Sequence, residues 1–275
     1  MLEGMNVKED FERFGKDAEK YAAYLETPEG RLRLDLPLAN LREFLPQHTG
    51  LLRALDLGGG TGANAVRLAR LGFQVTVLDV SLPMLDHAER AARKAGVAEK
   101  VALKHGDAAQ LATSFDAGSF DLILCHNVLE FVDDPCAVLR HAARALRNPS
   151  GVISVLVRNQ PGEVLKAAIQ NGDLATAERN LTSEWADESL YGGRVRLFTP
   201  DSLRALIAAA SLSVSGEVGV RVFMDYLPPK LSRDEEYERI FELERKLGRR
   251  PEFAAIARYI QCLAHPQGAV MKDAG

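Results

Sequence analysis

The sequence predicts a doubly wound α/β fold built on a seven-stranded, mostly parallel sheet. Three observations predict it. Short β-rich apolar runs alternate with helix-patterned segments from residue 54 to residue 159, the rhythm of βαβ units. The first run leads at once into a glycine-rich turn, LDLGGGTGANA, Leu55 to Ala65. The runs that follow end on Asp79 and Asp107 or just past them, at the sheet edge where open α/β folds bind ligands.

The elements follow in order. Residues 1–50 carry Leu32, Leu34, Leu36, Leu38, Leu41 and Leu45 at mixed spacings that favour helices packed on something larger. ALDL (54–57) is a strand, GGGTG a turn, and ANAVRLARL a helix stopped by Gly72, a residue type that accepts the left-handed conformation past a helix end. QVTVLDV (74–80) is the second strand, and Ser81 is placed to cap LPMLDHAERAARKAG. VALKHGD (101–107) is the third strand, and FDLILCHNVLEF (120–131) holds the fourth. Asp134-Pro135 opens the helix CAVLRHAARAL, and VISVLVRN (152–159) is the fifth strand. Residues 160–197 are polar and read as helical. Thr199-Pro200 starts a further helix, VGVRVF (218–223) is the sixth strand, SRDEEYERIFELERKLG (232–248) an amphipathic helix, and ARYIQCLAH (257–265) contains the last strand. The expected division is an N-terminal helical segment (1–50), an α/β core that binds the ligand (51–159), a helical cap (160–198) and the C-terminal half of the sheet with an inserted helix (199–275).

Composition narrows the class. Hydrophobic residues make up 47% and charged residues 26%, ordinary for a globular chain. The net charge of −4, from 34 basic and 38 acidic residues, excludes a global field that attracts polyanions and leaves a local basic patch open. Cys125, Cys136 and Cys262 are scattered, which predicts buried reduced thiols rather than a disulfide framework or a zinc site. No apolar run reaches the ~18 residues of a membrane span, and the N-terminal stretch has no apolar h-region. The expectation is a cytoplasmic protein with no membrane partner and no metal.

The glycine turn admits two ligands. Gly58-x-Gly60-x-x-Ala63 fits a dinucleotide fingerprint and hence an NAD-dependent oxidoreductase; Asp56-x-Gly58-x-Gly60-x-Gly62, with Gly59 between, fits a methyl-donor site. Asp56 discriminates. A carboxylate there suits an ammonium or sulfonium and repels a pyrophosphate. Asp79 is placed to accept from ribose hydroxyls, which both ligands have. Asp107 can take an adenine amino group, and His126 faces the same crevice.

DLGGGTG, LDVSLPML, HGDA and FDLILCHNVLEFVDDP, in that order, resemble class I S-adenosylmethionine-dependent methyltransferases across roughly residues 25–265. The resemblance implies a Rossmann-like sheet with its last strand antiparallel, and S-adenosyl-L-methionine as donor. RLR (31–33), CHNVLEFVDDP, GVRVFMDYL (219–227) and ARYI (257–260) resemble more closely the bacterial tRNA 5-carboxymethoxyuridine methyltransferases, which methylate a carboxylate on a modified wobble uridine. By that resemblance Arg33 contacts the donor, and Asp79, Asp107, Ala108 and His126 fall on donor-binding positions.

The acceptor side leaves alternatives open. A carboxylate acceptor is ionised at pH 7 and needs a cationic clamp rather than a base. Arg221 is the candidate clamp, with Arg194 or Arg196 next, Tyr226 the candidate orienting hydroxyl and His126 the one candidate base. Residues 160–197 hold six acids and four bases, which speaks for a small-molecule acceptor of an O- or N-methyltransferase beside the tRNA reading, because RNA binding draws on phosphate neutralisation. Tyr226 and Lys230 imitate a dehydrogenase Tyr-x-x-x-Lys pair, but two prolines between them forbid the helix that pair needs. His126 and Glu130 lack a third ligand for a metal.

Overall fold

The computed structural model describes residues 18–45, 50–147, 149–187 and 193–268; residues 1–17, part of the expected N-terminal segment, lie outside them. The strands are β1 (Arg53–Leu57), β2 (Gln74–Asp79), β3 (Val101–His105), β4 (Leu122–His126), β5 (Val152–Arg158), β6 (Trp185–Asp187), β7 (Arg194–Arg196), β8 (Leu212–Val220) and β9 (Tyr259–Pro266). Seven of them form the expected sheet, in the order β3-β2-β1-β4-β5-β9-β8, while β6 and β7 pair as a separate antiparallel ribbon. The first five sheet strands run parallel, and β9 is antiparallel to both its neighbours. The strand order reverses between β1 and β4, so a crevice opens there at the carboxyl ends.

Alternation along each strand fills both faces. Leu55, Ile123, Ile153 and Val155 join one apolar cluster, while Ala54, Val77, Leu122 and Leu124 join another. Both faces are buried, as a parallel sheet requires. Two N-terminal helices, α1 (Ala18–Glu26) and α2 (Pro28–Leu41), precede the sheet; Thr27 caps α2 by accepting from the Gly30 amide at 3.1 Å. The helices α3 (Ala63–Arg70) and α4 (Leu82–Lys94) cover one face with Leu68, Leu85 and Ala92. Gly72, at φ 98°, follows the end of α3, and Ser81 caps α4 through the Met84 amide at 3.3 Å. The short α5 (Leu111–Ser114) and α6 (Pro135–Ala145) lie on the other face; Asp134 caps α6 through the Ala137 amide at 2.8 Å.

The C-terminal part departs from expectation in three places. The polar segment is helical through α7 (Gln160–Leu165), a π turn and α8 (Leu174–Asn180), and then becomes the β6–β7 ribbon instead of more helix. After α9 (Pro200–Ala209), capped by Thr199 as expected, β8 starts at Leu212 and ends at Val220. Arg221 breaks the strand with a φ of +60°, and the next three amides, Val222, Phe223 and Met224, donate to the buried Glu244 carboxylate at 2.6, 3.0 and 2.8 Å. An isolated sequence does not show that a glutamate two dozen residues downstream takes the donors a ladder would use. The amphipathic helix is shorter than expected: α10 (Tyr237–Gly248) begins after turns over 233–236, and α11 (Pro251–Ala254) follows. Cys125 and Cys262 are buried free thiols; Cys136 is only half-buried, because it sits on the first turn of α6.

Candidate functional site

A cavity of about 180 Å³ occupies the crevice at the carboxyl ends of β1, β2, β4 and β5, closed on one side by α1 and α2. Arg33, Asp56, Gly58, Gly59, Gly60, Asp79, Asp107, Ala108 and His126 all line it. The β1–α3 turn reaches it through alternating left-handed residues: Gly58, Gly60 and Gly62 have φ of 63°, 53° and 72°. Only glycine adopts these angles without strain. At Gly60 a Cβ meets no atom closer than 3.9 Å, so this backbone faces open space that a ligand can fill. Gly62 does not line the cavity; a Cβ there would come within 2.8 Å of the Ala88 methyl, so it lets α3 sit against α4.

The acids divide by their partners. Asp79 accepts the Gly60 amide at 2.8 Å on one oxygen and the Ser81 amide at 2.9 Å on the other, pinning the glycine turn to β2. Each oxygen keeps a second lone pair for a hydroxyl donor, and burial raises its pKa. Asp107 is not in a strand. It caps a 3₁₀ turn (Ala108–Gln110) by accepting the Ala109 amide at 2.8 Å on Oδ1, and it lines the cavity. Asp56 is 1% exposed, and its Oδ2 has no hydrogen-bond partner. Burial first, and then the charge of Asp79, push its pKa up to about 7. A buried carboxylate oxygen with no donor calls for a cation or a donor from the ligand.

At the end of β4, Asn127 takes a φ of +55° and joins the two halves of the site. Its Oδ1 accepts from Arg33 Nε and Nη2 at 3.1 and 2.6 Å, and its Nδ2 donates to Glu130 at 2.8 Å. His126 Nε2 lies 2.8 Å from Ser154 Oγ. That oxygen accepts from Gln261 Nε2 at 2.9 Å; Gln261 also donates to the Pro37 carbonyl at 3.0 Å and accepts from Asn40 at 2.9 Å. Gln261 offers this oxygen a donor and no acceptor, so among the described residues Nε2 is the acceptor the Ser154 hydroxyl proton can reach, and a hydroxyl that donates there puts the proton of the neutral ring on Nδ1. Burial, helped by Arg33, lowers the His126 pKa to about 3. A ring this weakly basic does not suit general-base duty at pH 7; it suits a neutral hydrogen-bond donor.

The expected clamp is engaged elsewhere. Arg221 is 5% exposed, forms an ion pair with Asp225 and donates to Tyr24 Oη at 2.8 Å; it does not line the cavity. The left-handed kink that ends β8 leaves its guanidinium among Asp225, Tyr24 and the Tyr259 ring, 5.8 Å from that ring's centre. Tyr226 is outside the cavity lining too, although its buried hydroxyl has no partner and burial pushes its pKa up to about 12. Arg194 and Arg196 stack over Trp185 in the ribbon, 5.3 and 5.0 Å from its ring centre.

Besides Arg33, the cation at the cavity wall is Arg158, the last residue of β5, which sequence reasoning passed over. It pairs with Glu163 at 3.3 Å, and Arg258 pairs with the same carboxylate. Lys166 stands beside them; burial, then Arg258, lower its pKa, and no carboxylate among the described residues lies within ion-pair reach of its ammonium. Burial alone would raise the Tyr259 phenol, but Arg33, Arg221, Arg258 and Arg158 together pull it below its ordinary value. The signal available in advance was the strand-end rule: Arg158 closes the fifth strand as Asp79 closes the second.

Among the described residues no helix is long and apolar enough to cross a membrane, and no group of three His, Cys, Asp or Glu is arranged to hold a metal.

Comparison with known proteins accords with this geometry. The profile of a methyltransferase domain matches residues 55–155. The chain is 32% identical over 263 residues to the tRNA 5-carboxymethoxyuridine methyltransferase of Escherichia coli O157:H7, which covers 91% of this chain and 95% of that one. It is 33% identical over 169 residues to the ubiquinone biosynthesis O-methyltransferase of Caulobacter sp. strain K31, covering 62% of each. Among solved structures, an S-adenosylmethionine-dependent methyltransferase of Thermotoga maritima shares the fold, with a TM-score of 0.63 at 18% identity over 94% of this chain and 100% of that one.

Proposed function

This chain belongs to the S-adenosyl-L-methionine-dependent methyltransferases, in the family of tRNA 5-carboxymethoxyuridine methyltransferase, and from that premise we propose that its acceptor is a carboxylate carried on a tRNA uridine. The NAD reading of the glycine turn falls with that membership, and the Asp56 carboxylate under the turn opposes a pyrophosphate.

The residues present fit the donor. The open face at Gly60 and the unpartnered Asp56 oxygen are the two features that a nucleoside bearing a cationic amino-acid arm satisfies. Asp79 and Asp107 would hold its ribose and adenine, Arg33 its carboxylate, and Asp56 its positive charge. When bound, S-adenosylmethionine supplies an activated methyl group. The chain's own work is then alignment and exclusion of water. An ionised carboxylate offers its lone pair without losing a proton, so the weak basicity of His126 is no handicap.

The observation that carries the acceptor reading is the donor set beyond Arg158. Among the described residues the buried Tyr226 hydroxyl has no hydrogen-bond partner and Lys166 has no ion pair; Arg258 acts on both, and Arg158 on Lys166 as well. A half-buried cation is stabilised by an anion brought to it, and a carboxylate on the acceptor provides one. Labelled S-adenosylmethionine tests this. Base-labile label transferred to tRNA bearing 5-carboxymethoxyuridine is the expected result. Label confined to small molecules of a tRNA-free metabolite extract would replace the tRNA with a small acceptor.

A further inference from the structure

A second concavity lies outside the donor site. A groove of about 370 Å³ runs between the end of α1, the start of α2 and the outer faces of α3 and α4. It adjoins the donor cavity: Leu25, Leu34, Thr61 and Ala63 line both. Its walls carry the cations Arg31, Arg67, Arg70 and Lys94 and the imidazole of His87, against the lining carboxylate Glu26. Arg31 and Arg67 are partly engaged, by Asp234 at 3.5 Å and by Asp35 at 3.1 Å. Arg70 and Lys94 are exposed, His87 is half-buried, and none of the three has a carboxylate within ion-pair reach among the described residues.

Helix periodicity builds this surface. Arg67 and Arg70 stand three apart on α3, and His87 and Lys94 stand seven apart on α4 with Ala91 between them, so each set shares one helical face. Ala63, Ala91 and Ala95 keep the floor low. The result is a cationic track on a chain whose net charge is −4. The acids of the cap do not provide such a surface.

We propose that this groove docks the phosphodiester backbone of the RNA acceptor; the proposal rests on the tRNA reading above. A strand of phosphates is a narrow, flexible polyanion that can enter a concave track between helices. A flat anionic membrane reaches only its rim. The groove's contact with the donor cavity, at Leu25, Leu34, Thr61 and Ala63, places such a strand beside the methyl donor.

The test uses the full chain, a fluorescent anticodon stem-loop and anisotropy over a potassium chloride series. The wild type should bind with strong salt dependence. The double variant Arg70→Glu/Lys94→Glu should bind roughly tenfold or more weakly, with its log-log salt slope flatter by about 1–2. S-adenosylhomocysteine affinity by calorimetry should be unchanged, which verifies the fold of the variant. Equal RNA affinity and slope in the two proteins would overturn the proposal. So would a wild type that binds no RNA, or one that sediments with phosphatidylglycerol vesicles and not with RNA. Transfer to tRNA tests the acceptor separately. Methylation by the wild type with an unaffected variant sinks the groove and keeps the acceptor; salt-dependent docking without transfer does the reverse.

Discussion

The two ends of the crevice hold their polar side chains in different ways. At the end of β2 and just past β3 the acids answer to backbone: Asp79 to Gly60 and Ser81, Asp107 to Ala109. At the ends of β5, β8 and β9 the charges answer to one another: Arg158 and Arg258 to Glu163, Arg221 to Asp225 and to Tyr24, which is 197 residues away. Backbone-held groups come from a few adjacent residues and stay put when the ligand leaves. Groups held by side chains depend on the assembled fold, and their charge balance changes when a ligand arrives. The donor end is therefore preformed, and the acceptor end is a network that an anion completes.

The largest expected effect tests the second half of that contrast. Arg221→Ala leaves Asp225 buried beside a lost partner and should destabilise the fold by about 3–5 kcal/mol in urea unfolding. Removing both charges, Arg221→Ala with Asp225→Ala, should recover part of the loss. A stable Arg221→Ala enzyme whose acceptor KM alone rises would return Arg221 to the clamp role and break the contrast.

At the donor end, Asp56→Asn should weaken S-adenosylmethionine binding by roughly a hundredfold, about 2–3 kcal/mol, as expected when one partner of a desolvated charge pair is truncated. The same change should stabilise the ligand-free protein at pH 8. The sign follows from the pKa pushed up to about 7: unfolded Asp56 ionises near 4, so the wild type loses stability as pH rises from there to 7, and asparagine escapes that loss. Donor affinity moves the other way. It should rise about tenfold from pH 6 to pH 8 as the carboxylate ionises to meet a cation, and be flat in the variant. A wild-type affinity independent of pH would mean that Asp56 is ionised throughout or does not face the positive charge.

Lys166→Met probes the acceptor network more gently. Acceptor KM should rise about tenfold, the scale of one lost charge-assisted contact, with donor affinity unchanged. A loss of donor affinity instead would show that the two ends are not separable.

The same contrast explains what could be read in advance. The turn from Leu55 to Ala65, the caps at Ser81, Asp134 and Thr199, and Asp79 at the end of β2 are contiguous signals, and the structure places each at the element expected, whereas Asp107 falls just past β3 as the cap of a 3₁₀ turn. Arg221 misled because its neighbours look like a strand. Only Glu244, brought in by α10, reveals that the chain has already left the sheet. Lys166 carries no local pattern at all; its importance comes from Arg258 and Glu163, which lie 95 residues apart and converge through β9 and α7.

The smallest predicted effect lies where the two ends meet. Ser154 is fully buried between His126 and Gln261. Ser154→Ala removes the hydroxyl that donates to Nε2 and frees the ring to exchange tautomers. Nitrogen-15 shifts of His126 should report a protonated Nδ1 in the wild type and a mixture in the variant. Donor affinity should fall about threefold to fivefold, the scale of one neutral hydrogen bond. A serine that merely fills space would leave the tautomer as it was. An unchanged Nδ1–H in the variant would mean that the cavity side of the ring fixes the proton, and that the chain from Asn40 through Gln261 only braces α2 against the sheet. A mixture would make this chain the structural link by which the C-terminal strand β9 sets the hydrogen bonding of the donor pocket.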